Sequence, residues 1–281
     1  VGQPIPKRCN TDTGNIIMSS GISESVQEAT QNLRPLGTAR KRSVAAFYSL
    51  MQYDLSILWR SWIIRFWFLL TIIGSVTAVL LARNYSDQTS FFISWALVLY
   101  SGLGSFVALI ISASAISAER SFLGVAVISR GIAPTPYLLA KLFSRSITVL
   151  GLFLLVMIPT MFMVQAQGLT NDMTTSGMLL ALGYWSLMLT VLVFLGITFS
   201  VMFTNTLVGI TVLGVFWYMG LVLLAATYAG DLTADGVLGG LPLVLRGESL
   251  MMEVSTILII GGVPLLTLPF IAIRIVNSRD M

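Results

Sequence analysis

Residues 177–203 read GMLLALGYWSLMLTVLVFLGITFSVMF, and residues 207–228 read LVGITVLGVFWYMGLVLLAATY. Neither stretch holds an Asp, Glu, Lys or Arg, and only Thr204-Asn205-Thr206 separates them. A run of about 20 apolar residues matches the ~30 Å hydrocarbon core of a bilayer. A helix satisfies its own backbone in lipid, where an open strand or loop does not. The two stretches are therefore read as two transmembrane helices in a tight hairpin.

Working outward, four more apolar runs appear: Phe66–Ala82, Phe91–Ala118, Ser146–Gln165 and Val254–Ile273. With flanking turns, spans are expected at about 62–82, 91–118, 138–165, 177–203, 207–228 and 254–275. The expected fold class is an all-α membrane protein with six transmembrane helices. The second run would form about 42 Å of helix, more than the hydrocarbon needs, so it tilts or projects beyond it. Gly104, Ala108 and Ser112 place small residues at i,i+4 along it, a spacing that lets two helices approach closely. Pro159 should kink the third span near one end. The apolar stretch Val237–Leu245, in the loop after the fifth span, suits a short re-entrant or surface-lying helix.

Composition agrees with this reading. The chain has 281 residues, only 10% of them charged, and a mean hydropathy of +0.89. Such values describe a polytopic membrane protein rather than a soluble domain. Residues 1–42 are polar, rich in Ser, Thr, Gln, Asn and Gly, and are expected to be a disordered tail. They hold no apolar core of a secretory signal, and Met18 offers an alternative start that would make residues 1–17 an upstream extension. Between residues 43 and 61 the pattern changes. At 100° per residue, Phe47, Met51, Leu55, Leu58 and Trp62 share an arc of about 80°, while Ser49, Gln52, Ser56 and Arg60 lie opposite. This is an amphipathic helix suited to the membrane interface ahead of the first span.

Charge sets the topology. Lys7, Arg8, Arg34, Arg40, Lys41, Arg42, Arg60 and Arg65 precede the first span, Arg120, Arg130, Lys141 and Arg145 lie between the second and third, and Arg274 and Arg279 follow the sixth. The opposite loops carry Arg83 and Arg246 beside Asp87, Asp172, Asp231, Asp235, Glu248 and Glu253. The positive-inside rule puts both termini and the second-to-third loop in the cytoplasm.

Several chemistries are excluded. No histidine is present, which removes Ser-His and Cys-His catalysis and HExxH zinc sites. Cys9 is the single cysteine and has no partner for a disulfide or a metal site. The three lysines, Lys7, Lys41 and Lys141, do not fall in a GxxxxGK[ST] phosphate cradle. No catalytic, cofactor-binding or metal-binding residue is expected, no cofactor, and no nucleic-acid partner. No ionisable residue lies in the middle of a run, as a proton or ion relay would require. If the protein does transport work, another polypeptide supplies the energy.

The most specific stretch is Ile116–Lys141, ISAERSFLGVAVISRGIAPTPYLLAK. A Glu-Arg pair ends the long second run, a short apolar segment follows, and Ser129-Arg130-Gly131 and two prolines lead into Lys141. The chain here resembles the six-helix permease subunits of ABC-2 type transporters, including the copper-enzyme maturation permease branch. Members often carry a Glu-Arg pair, a nearby Gly, a Ser/Thr-Pro region and a Lys opening the third span. These are Glu119-Arg120, Gly124, Ser129–Pro134 and Lys141 here. The likeness covers Val44–Ile275 in the order of its features: elbow helix, long second span, coupling segment, tight turn between spans four and five, and long loop after span five.

The resemblance implies an ABC-2 transmembrane domain over residues 43–281, with the 43–61 helix as its elbow. It implies a multi-pass permease in the cell membrane that exports an unknown substrate and neither binds nor hydrolyses ATP. A second permease subunit, in a homodimer or heterodimer, a separate ABC ATPase and membrane lipids would be its partners. The ATPase-coupling segment would be Glu119, Arg120, Phe122, Leu123, Gly124 and Arg130. Gly104, Ala108 and Ser112 would pack helices. Substrate would pass near spans one, two and five. The alternatives are a non-transporting membrane assembly or scaffold protein, or a membrane-embedded enzyme.

Overall fold

A computed structural model describes residues 39–84, 88–117, 134–166, 172–229, 238, 240–248 and 261–278. The chain divides into Val1–Val44 and Ala45–Met281, and of the first unit only the opening residues of one helix are described. All the regular structure among the described residues is helical.

The helices are α1 (Ala39–Arg60), α2 (Trp62–Asn84), α3 (Thr89–Ser117), α4 (Pro134–Ala166), α5 (Thr175–Met202), α6 (Thr206–Ala229), the single-turn α7 (Leu241–Arg246) and α8 (Val263–Ser278). Four are long and apolar enough to cross a membrane: α2, α3, α4 from Thr135, and α5. Thr206–Gly220 in α6 and Val263–Val276 in α8 are shorter apolar stretches. At 1.5 Å per residue, the 23 residues of α2 rise about 35 Å, enough for a bilayer core.

α5 is the central helix and packs on α3, α4, α6, α7 and α8. It is apolar on every side, as a helix with no water-facing stripe must be. Leu97 of α3, Phe153 of α4, Leu192 and Ile197 of α5, Leu213 of α6, Leu245 of α7 and Ala272 of α8 are fully buried in one cluster. A second, smaller cluster joins Leu58 of α1 to Ile64 and Trp67 of α2, Ile111 of α3 and Leu152 of α4. Outward, Phe66, Leu69 and Ile73 of α2 and Val215, Phe216 and Met219 of α6 are exposed. So much bare apolar surface on apolar helices is compatible with contact to lipid.

One crossing is unusually close. A Cβ on Gly196 of α5 would lie 2.5 Å from the Ser112 Cβ of α3 and overlap its Oγ, so only glycine fits there. The small residues expected to pack helices sit in this region of α3. Gly104 lies against Trp67 of α2, Ala108 is buried, and Ser112 faces Gly196.

Helix ends differ from the sequence expectation by a few residues. α1 begins at Ala39, before the expected 43, and ends at Arg60, so Trp62 opens α2. Trp62 is 77% exposed and leaves the arc it was expected to share. α4 begins at Pro134, four residues before the expected 138, so Lys141 and Arg145 lie about two and three turns inside it. Pro159 lies inside α4 and lacks the N–H that would bond the Leu155 carbonyl. Within the expected Val237–Leu245 stretch, Leu238 is buried and α7 occupies the end, bracketed by Gly240 and Gly247 in left-handed conformations.

Candidate functional site

The apolar runs hold no ionisable residue in their middle, but outside them α1 and α4 bury a charged cluster. Between Ala45 and Arg60 only Asp54 and Leu58 are buried, and Asp54 is 1% exposed. The carboxylate meets one stripe of α4. Lys141, Ser144, Arg145 and Thr148 recur at i, i+3, i+4 and i+7, which puts them on one face, and all four are buried.

The geometry is that of a satisfied ion cluster. Asp54 Oδ1 accepts from Lys141 Nζ at 2.5 Å and from Arg145 Nη2 at 3.3 Å. Oδ2 accepts from Arg145 Nε at 3.2 Å and from Ser144 Oγ. Arg145 thus meets both oxygens side-on, the strong bidentate form. Its remaining nitrogen, Nη1, donates to the Ile111 carbonyl of α3. Lys141 Nζ also stands 5.8 Å from the Tyr137 ring centroid. Burial pushes the Asp54 carboxyl up, but the charges of Arg145 and then Lys141, with hydrogen bonds from Lys141 and Ser144, outweigh it and hold Asp54 below the usual carboxylate range. Asp54 is therefore ionised at neutral pH.

The polar chain continues through α3. Ile116 N and Ser117 N donate to Ser200 Oγ of α5 at 2.9 and 3.0 Å. Thr206 Oγ1 of α6 donates to Ser117 Oγ at 2.9 Å. Side chains from α4, α5 and α6 thus grip the last two turns of α3, and Asp54 of α1 anchors the chain. Among the described residues no group of His, Cys, Asp or Glu is placed to hold a metal.

The opposite end carries a second clamp. Asp172 Oδ1 accepts from Ser90 N at 2.9 Å, and Oδ2 accepts from Ser90 Oγ at 2.5 Å and Arg246 Nε at 3.0 Å. An acidic group suits the start of α3, where free N–H groups and the helix dipole favour negative charge. Arg246 ends α7, so the clamp ties α7 to α3. α7 is also stitched to α5. Thr174 N donates to the Leu245 carbonyl at 2.9 Å, and Gly177 lets that carbonyl lie 2.5 Å from where a Cβ would be.

Between the two ends an apolar groove of about 430 Å³ opens between α2, α3 and α6. Phe66, Trp67 and Leu70 of α2, Leu103 and Phe106 of α3, and Tyr218 of α6 line it. The Tyr218 hydroxyl donates to the Gly102 carbonyl at 2.9 Å and lies 3.1 Å from Ser105 Oγ, so its polar end is satisfied within the protein.

Glu119, Arg120, Phe122, Leu123, Gly124 and Arg130 lie outside the described residues. Sequence reasoning passed over Asp54, although the signal was available. Asp54 falls only about 20° from Phe47 on the helical wheel, beside the apolar arc. A lone acid on an apolar stripe asks for a buried cation. No protein-family model matches this chain, and comparison with curated proteins gives no match. The described residues form an apolar helical protein, compatible with a membrane, with one ionic clamp joining α1 to α4 and a second joining α3 to α7.

Proposed function

We propose that this chain is the transmembrane permease subunit of an ABC-2 type exporter, powered by ATP hydrolysis on a separate subunit. On this reading α2, α3, α4, α5, α6 and the region of α8 are six spans, and α1 is the interfacial elbow helix. The protein sits in the cell membrane with both termini cytoplasmic and pairs with a second permease subunit.

The observation that carries the reading is the joint between α1 and α2. An amphipathic helix ends at Arg60, a one-residue break at Ser61 follows, and an apolar helix of 23 residues begins at once. Ser61 N bonds the Leu58 carbonyl and Arg65 Nε bonds the Trp59 carbonyl, so the turn is closed by its own groups. An elbow followed by a long second span and a tight hairpin, with no nucleotide cradle, is the order of parts in this family. Two features add support. Among the described residues fixed charge is kept to the ends of the bundle, where a relay for ion-driven transport would have to run through its middle. The apolar groove lies where spans one, two and five meet, and it suits an apolar or amphipathic cargo.

The test uses purified protein in lipid nanodiscs. Alone, it should turn over no ATP. With its soluble ATP-binding partner it should do so, and a Phe122→Asp or Leu123→Asp change should abolish capture of that partner at equal membrane levels. A buried unpaired charge costs several kcal/mol, and each 1.4 kcal/mol is about tenfold in affinity. ATP turnover by the chain alone, or full capture by both variants, overturns the proposal.

A further inference from the structure

We propose that Asp54 is a latch that holds α1 on the bundle and, through Arg145, sets the position of the end of α3. α1 has little else to hold it. Apart from Asp54, Leu58 is its one buried residue between Ala45 and Arg60, while Tyr48, Tyr53, Ile57 and Trp59 are exposed. Phe47 meets Phe143 of α4 edge-on at 5.9 Å, but Phe143 is itself half exposed. The contact that fixes register is ionic. One carboxylate engages Lys141, Ser144 and Arg145 at once, and apolar packing has no such geometric demand.

The latch also reaches beyond α1. Arg145 shares its guanidinium between Asp54 and the Ile111 carbonyl, so the carboxylate that holds α1 also orients the group that holds α3. Five and six residues on, Ser200 takes the N–H groups of Ile116 and Ser117. α1 and the ends of α3 and α4 therefore move together while Asp54 is seated. Without Asp54, the Arg145 side chain is left buried with only the Ile111 carbonyl to face. Stranding a buried charge is far more costly than never placing it there. Asp54 is a positioning residue on this account, and the inference stands whether or not the protein transports anything.

Disulfide cross-linking in membranes tests it, in a Cys9→Ser background. The pair Phe47→Cys/Phe143→Cys reports α1 on α4, and Ser117→Cys/Thr206→Cys reports the end of α3 against α6. Gln165→Cys/Thr175→Cys reports the opposite end of the bundle, where Gln165 Nε2 and Thr175 Oγ1 lie 2.9 Å apart. Asp54→Asn should slow the first pair tenfold or more, slow the second pair by a smaller factor, and leave the third unchanged. Adding Arg145→Met to Asp54→Asn removes the stranded guanidinium and should restore the first pair at least threefold. First-pair cross-linking at the wild-type rate in Asp54→Asn overturns the latch. So does loss of all three pairs, which makes Asp54 a support of the whole fold. A double variant no faster than Asp54→Asn also overturns it, because the carboxylate and the arginine would then act independently.

Discussion

Gly196→Ala puts a single methyl into the α3–α5 crossing. The new Cβ would lie 2.5 Å from the Ser112 Cβ, overlap Ser112 Oγ and come 3.4 Å from Ala113 N. The hydroxyl can rotate away, but it would give up its 2.6 Å bond to the Ala108 carbonyl, worth about 1 kcal/mol. The Ser112 Cβ cannot rotate away, so the backbones must part. Overpacking a tight core costs roughly 1–3 kcal/mol. Alanine gains back up to about 1 kcal/mol over glycine inside a helix. The net expectation is a loss of about 1–2 kcal/mol, or roughly 2–8 °C for a domain of this size. The penalty should also spread, because Ser200 bonds Ile116 and Ser117 one turn along the same contact. The assay is the midpoint temperature for loss of the monodisperse peak in fluorescence-detected size exclusion at one heating rate. Ser112→Gly in the Gly196→Ala background opens the space and should recover most of the loss. A Gly196→Ala midpoint at or above wild type, or no recovery in the double variant, refutes the close crossing.

Other consequences are also testable. The folded pKa of Asp54 lies below its ordinary value of 3.8, so its contribution is complete above that value and fades as pH falls through the lower folded value. The separation of spin labels attached at 47 and 143 at neutral pH, with Asp54 facing Lys141 and Arg145, should thus be unchanged from pH 8 to about pH 5 and widen only below about pH 4; widening near pH 6 would contradict this. Arg246→Ala should loosen α7 while the bundle stays folded, since its ion pair with Asp172 is partly exposed and worth about 1 kcal/mol or less. Amide exchange at 241–248 should rise and exchange in α5 should not, and equal exchange at 241–248 would refute the clamp. Topology follows from the basic residues. An impermeant maleimide added to whole cells should label a cysteine at Asp235 but not one at Ser129, and the reverse pattern would invert the protein.

The helical class was legible because apolar runs of bilayer length have few alternatives. The hairpin at Thr204–Thr206 was equally plain, since α5 ends at Met202 and α6 begins at Thr206. The ion cluster was harder to see. Lys141 and Arg145 were read only as charges that orient the third span, expected at 138–165, and not as partners for a buried acid. Their partner lies 87 and 91 residues away on a different helix, and no local pattern links them. The Asp172–Arg246 clamp hid in the same way, with each residue read as a loop charge. Gly104, Ala108 and Ser112 were visible as a stripe, but Gly196, the residue that needs Ser112 to be small, was not, because one glycine in an apolar helix carries no local signal.

The central claim is that this chain works with a separate ATPase, and cross-linking followed by purification tests it most directly. The protein is tagged, cross-linked in its native membrane before extraction, purified, and its covalent partners are identified by mass spectrometry. The account predicts a soluble subunit bearing GxxxxGK[ST], joined to this chain within Glu119–Arg130 and recovered in near-equal amount. Recovery of this chain without any nucleotide-binding partner, under conditions that capture other membrane complexes, would contradict it.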